Sequence, residues 1–251
     1  MQNDFALEIC VESADQAISA ERGGAHRVEL CSDLASGGIT PSAGFMRVAR
    51  QNLRIPIHVL IRPRAGDFVY SDREFEVMER DIEVAKQLGM SSMVLGILDS
   101  KFQVDVKRTT QLIKLAHPLP VTFHRAFDLC PDKNSALEAV IQSGSTRLLT
   151  SGGNAGAIEG LASLARLVDA AGDRLVIMPA GGIGAENVSR VLQETVAREI
   201  HASLRGQQTP GHDGLSNSGP SDENGQNGDL EARVREVRRI LNSLSDRVTP
   251  S

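Results

Sequence analysis

Two cysteines, Cys10 and Cys31, close the similar fragments Leu7-Glu8-Ile9-Cys10 and Val28-Glu29-Leu30-Cys31. If these fragments are neighbouring strands, about 4.8 Å apart, their thiolates suit the soft ion Cu(I), with histidines nearby to complete the set. Two small buried residues, the commonest use of free cysteine, fit the same spacing. A second chemistry is general acid/base catalysis by His124 or Glu29, with Arg62, Arg64 or Arg125 clamping an anionic substrate. A third is phosphate binding at Ala180-Gly181-Gly182-Ile183-Gly184, where backbone N–H groups would precede a helix expected from Ala185. A tight turn explains those glycines equally well. A Schiff-base mechanism needs a strand-borne lysine, and Lys86, Lys101, Lys107, Lys114 and Lys133 all fall in helical patterns or beside them.

These residues must be held by something, and the chain has a regular pattern that could hold them. Short β-rich runs start near Phe5, Arg27, Pro56, Ser92, Pro120, Thr146, Arg174 and Arg198, each followed by a helical pattern. Eight such units predict a single (β/α)₈ TIM barrel, and 251 residues is the size of one such domain. Helix starts are expected at Ser13 with Gln16, at Ser71 with Glu74, and at Pro41 after Thr40. Phe75, Met78, Ile82, Ala85 and Leu88 share one helical face before Gly89, and Leu230, Val234, Val237, Leu241 and Leu244 share another in the last helix. Residues 206–228 turn to Gly, Ser, Asn, Gln and Pro without Lys or Arg, which predicts a flexible loop after the eighth strand.

Strand parity sorts the side chains, because successive Cβ atoms point to opposite faces. Phe5, Leu7, Ile9 and Val11 leave Glu8 and Cys10 on the other side, and Val28 and Leu30 leave Glu29 and Cys31. By the same rule His58 and Arg62, Thr122 and His124, and Glu199, His201, Ser203 and Arg205 are expected to point into the lumen. Barrel lumens are ordinarily filled by Val, Ile and Leu. Burying ionisable groups costs several kcal/mol each unless they are paired, hydrated or bound to a ligand. The plain structural alternative is a closed network in which Arg62 and the histidines neutralise Glu8 and Glu29.

The charge balance narrows the partners. Lys and Arg number 27 against 32 Asp and Glu, for a net charge of −5, and only Arg233 to Arg239 concentrates positive charge, so a nucleic-acid partner is not expected. No run approaches 18 apolar residues, and MQNDFALEIC lacks a basic lead-in to an apolar stretch, so neither a membrane span nor an export signal is expected. Three cysteines without a CxxC pair fit a reducing cytoplasm.

The stretches LEICVES, AERGGAHRVELCSDLASGGITPS, IRPRAGDFVYSDREFEVM, LPVTFHRAFD, RLLTSGG and MPAGGI together resemble the CutC family of copper homeostasis proteins over most of residues 5 to 184. The resemblance implies a TIM barrel, a cytoplasmic location, a homo-oligomer and Cu(I) binding through cysteines at the strand ends matched by Cys10 and Cys31. Arg62, Arg64, Asp67, Tyr70, Asp72, His124, Arg125 and Asp128 exceed what a copper carrier requires. They suit an enzyme, a lyase, isomerase or hydrolase, acting on a small anionic molecule, with His201, Gly181 and Gly182 as further contacts. After the eighth strand His201-Ala202-Ser203-Leu204-Arg205 passes into the loop without Lys or Arg, a departure from the family pattern.

Overall fold

A computed structural model describes residues 5–204 and 223–248 of the chain. Eight strands, β1 (Ala6–Val11), β2 (Arg27–Leu30), β3 (Ile57–Leu60), β4 (Ser92–Leu95), β5 (Val121–Phe123), β6 (Arg147–Thr150), β7 (Val176–Pro179) and β8 (Glu199–Ala202), begin within two residues of the expected positions. All neighbouring pairs are parallel, in the order β7-β6-β5-β4-β3-β2-β1-β8, and β7 packs on β8 to bring the ring to closure. The helices are α1 (Ala14–Gly23), α2 (Ala43–Asn52), α3 (Asp72–Gln87), α4 (Val106–Ala116), α5 (Lys133–Ser143), α6 (Leu161–Ala171), α7 (Val188–Thr195) and α8 (Glu223–Val248). This is a (β/α)₈ barrel.

The helix starts follow capping chemistry, with instructive shifts. Ser71 and Glu74 form a reciprocal capping box on α3. At α1 only half the box exists: Ser13 accepts from Gln16 N, whereas the Gln16 side chain accepts from Glu12 N. Helix α2 does not start at Pro41. Ser42 caps it by accepting from Phe45 N, so the proline precedes the cap. Likewise α7 starts at Val188 rather than Ala185, because Asn187 folds the glycine loop first: its Oδ1 accepts from Gly184 N at 2.9 Å and its Nδ2 donates to Gly182 O at 2.7 Å.

The core lies between the ring and the helices. Phe75, Met78, Ile82 and Ala85 of α3 are buried, as are Leu230, Val234, Val237, Leu241 and Leu244 of α8. Helix α8 lies against α1, and Gly23 permits the approach: a Cβ there would sit 2.6 Å from Val234 Cβ. Of the expected loop at 206–228, residues 206–222 lie outside the described residues, as does Arg205, and 223–228 are the first residues of α8.

Candidate functional site

Register fixes where the chemistry collects. Cys10 of β1 aligns with Glu29 of β2, Glu29 with His58 of β3, and Glu8 with His201 of β8. Because these residues share one parity, their side chains converge inside the ring. Glu8 is fully buried. Its carboxylate accepts from Arg27 Nε at 2.6 Å and pairs with His201 Nδ1 at 2.7 Å. His58 Nδ1 lies 2.8 Å from the same group, within ion-pair range but not aligned as a hydrogen bond. Burial alone would raise the Glu8 pKa, but Arg27 and the two histidines outweigh it and hold the carboxyl well below the usual range. Arg27 continues to Glu199, which Arg147 also grips at 2.6 Å.

The expected closed network is therefore only partly right. Glu8 is paired with Arg27 and His201 and lies beside His58, and Arg62 takes no part. Arg27 was not among the expected lumen residues, although it shares parity with Glu29 and Cys31. Glu29 is left short of partners, because its Oε2 is buried without a hydrogen bond and lies 4.0 Å from His201 Nδ1. Burial, reinforced by the Glu8 charge, pushes the Glu29 pKa up to about 7.

Above this layer opens a cavity of about 270 Å³ at the carboxyl ends of the strands. Of the expected site residues, Cys10, Glu29, Arg62, His124, Arg125 and His201 line it, together with Gly181 and Gly182. Cys31 sits immediately behind Cys10, with 3.2 Å between their sulfurs, and donates to Val11 O at 3.7 Å. The hydrogen bond to Cys31, then burial, then the Glu29 charge hold the Cys10 thiol well above its ordinary pKa. Cys10, Glu29 and His201 each offer a ligand atom within 4.8 Å of the others, an arrangement able to hold a metal ion. His201 would lose its proton by burial alone, but Glu8 and Glu29 raise its pKa.

The remaining expected residues are placed differently. Arg64 pairs with Glu74 and Asp67 and lies over the Tyr70 ring at 5.2 Å, and neither Arg64 nor Asp67 lines the cavity. Asp128 fastens the short 3-10 turn Arg125–Leu129 to the loop after β6, accepting from Ser151 N, Gly153 N and Thr150 Oγ1. Arg125 reaches the cavity but is held by Asp128 and by Ser151 Oγ, each at 2.8 Å. Gly181 adopts φ +99°, and a Cβ there would lie 3.2 Å from Gly156 Cα, so both conformation and close approach require glycine. Phe68, absent from the expected set, supplies an aromatic wall.

Fold and site together define a (β/α)₈ barrel protein with an ionisable, thiol-bearing pocket at the carboxyl face, where proteins of this architecture keep their binding and chemical sites. The sequence profile of the CutC family matches residues 5–206, and this chain belongs to that family. It is 48% identical over 209 residues to the mouse (Mus musculus) copper homeostasis protein cutC homolog, covering 83% of this chain and 77% of that protein. It is 50% identical over 204 residues to a family protein CutC of Chromobacterium violaceum, covering 81% and 83%. Among solved structures, the CutC protein from Streptococcus agalactiae superposes with a TM-score of 0.76 at 37% identity, covering 79% of this chain and 98% of that one. A thiamine phosphate pyrophosphorylase from Pyrococcus furiosus, at 14% identity and TM-score 0.61 over 97% of this chain and 98% of that one, shares the fold alone. Among the described residues no helix is long and apolar enough to cross a membrane.

Proposed function

We propose that this protein serves copper homeostasis by holding Cu(I) through the sulfurs of Cys10 and Cys31. The observation that carries the reading is the pair of buried thiols 3.2 Å apart at the lumen side of adjacent strands. Thiolates are soft donors that favour Cu(I) over hard cations. Without a cation, the hydrogen bond with Cys31, burial and the neighbouring carboxylate favour the protonated Cys10 thiol. A soft cation can take the place of those protons, so uptake releases acid. Glu29 and His201 stand close enough to Cys10 to complete the ligand set. The mouse relative's designation as a copper homeostasis protein supports the same reading. It requires that both sulfurs stay reduced, which a cytoplasmic location provides, and a homo-oligomeric state belongs with it.

The test is a competition titration against a Cu(I) chelator. Cys10→Ser and Cys31→Ser should each abolish tight binding, because an alcohol is a harder and less easily ionised donor than a thiol. Copper that stays tightly bound in the double serine variant would end the two-cysteine reading.

A further inference from the structure

Arg62, Phe68 and His124 build a part of the cavity wall that copper binding leaves unexplained. Arg62 is 4% exposed, and its terminal nitrogens donate to Gly38 O and Gly66 O, each at 2.7 Å, and to Ser36 O at 3.2 Å. Among the described residues no carboxylate lies within ion-pair distance of it, and its Nε is buried without a hydrogen bond. The Tyr70 hydroxyl, also buried, neighbours this guanidinium without an aligned bond. A buried cation with neutral partners alone is costly unless an anion joins it.

His124 supplies the second half. Its Nδ1 accepts from Ala126 N at 3.2 Å, so the neutral ring carries its proton on Nε2. That Nε2 is buried without a partner on a side chain that lines the cavity. Burial and the nearby Arg62 push the His124 pKa down to about 3, which keeps the ring a neutral donor. Both groups pack on Phe68, whose ring centre is 4.8 Å from the imidazole and 4.7 Å from the guanidinium carbon.

We propose that this wall binds the carboxylate of a small organic monoacid, Arg62 supplying the charge and His124 Nε2–H a hydrogen bond to a ligand oxygen. One unmatched buried cation suits one negative charge. A phosphate dianion would need more: Arg125 is already held by Asp128, and Gly184 N–H is already bound by Asn187. A neutral ligand would leave Arg62 without a counter-ion. The cavity, about 270 Å³, lies just below the range of drug-sized sites and has room for a small organic acid. This inference goes beyond the copper reading and does not depend on it.

Metal-stripped full-length protein is titrated calorimetrically with formate, acetate, lactate and pyruvate, and in parallel with inorganic phosphate. At least one monoacid should bind, and phosphate should bind at least about tenfold more weakly than it. Arg62→Met should weaken the monoacid about tenfold or more and His124→Phe about fivefold, the losses expected for a charge-assisted and a neutral hydrogen bond. Arg62 also holds three loop carbonyls, so the unmutated protein gives a second reading: with ¹⁵N-labelled histidine, the His124 Nε2 resonance should move more than Nδ1 on saturation. Binding by none of the four acids, tighter binding of phosphate, or an unmoved Nε2 would each overturn the proposal. Copper does not enter the measurement, so either reading can fail alone.

Discussion

Glu8 Oε2 and Arg27 Nε meet at 2.6 Å in the lumen, on adjacent strands, where barrels of this kind ordinarily stack aliphatic side chains. The pair is the hub of a chain of charges that runs from Arg147 and Glu199 through Arg27 and Glu8 to His201, directly beneath Cys10 and Glu29. The floor of the cavity is thus held by ion pairs rather than by apolar packing. Its geometry depends on every partner keeping its charge.

Replacing Glu8 with Gln should therefore be among the most damaging single changes in the protein. Arg27 would keep only Glu199 as counter-ion, and His58 and His201 would lose their shared carboxylate. Removing one partner of a buried pair costs about 3–5 kcal/mol. Urea unfolding of the two proteins at neutral pH measures this directly. A loss below about 1 kcal/mol would show that the lumen network contributes little to stability.

Most of this layer was legible in the sequence, because strand parity is a two-residue rule and the helix-facing sets are cleanly apolar. Arg27 opens β2 and was passed over although the expected strand start and the parity of Glu29 and Cys31 already turned it inward. The partners of Arg62 were illegible for another reason: Ser36, Gly38 and Gly66 offer backbone oxygens from loops, and no residue type announces a carbonyl. Arg64 and Asp67 read as site residues beside Arg62, yet Arg64 turns to Glu74 at the α3 capping box. Short capping signals placed α3 to the residue, whereas Pro41 and Ala185 misplaced α2 and α7: Ser42 caps α2 one residue later, and the Asn187 side chain ties up the glycine loop ahead of α7.

Gly96, just beyond β4, fixes the position of the His124 ring by having no side chain. A Cβ there would lie 2.5 Å from His124 Nδ1 and 2.6 Å from Cε1, with Ala126 Cβ at 3.1 Å. The ring cannot retreat freely, because it packs on Phe68 and its Nδ1 is bound by Ala126 N. Gly96→Ala should cost about 1–3 kcal/mol, the usual range for overpacking a tight interior. Thermal unfolding gives the stability change, and the His124 ring resonances should shift in the same variant. An unchanged melting temperature with unmoved His124 signals would mean that the ring has room to spare.

The final prediction concerns acid. Burial and Arg62 lower the His124 pKa from the usual 6.5 to about 3, so the unfolded chain binds a proton there well before the folded protein does. A depressed folded value contributes stability that is fully present above about 6.5 and is lost as the pH falls from there through about 3. Other lumen groups act at once. Glu8, lowered, adds loss in acid below its ordinary range, whereas Glu29, raised to about 7, contributes stability that is present at low pH and lost as pH rises through that value. The whole profile is their sum, and the difference between the parent and His124→Phe isolates the imidazole. Between pH 6.5 and 4 the parent should lose stability faster than the variant, and ¹⁵N spectra at pH 5 should show His124 still neutral with its proton on Nε2. Parallel stability profiles, or a protonated His124 at pH 5, would show that the ring has water or a counter-charge within reach.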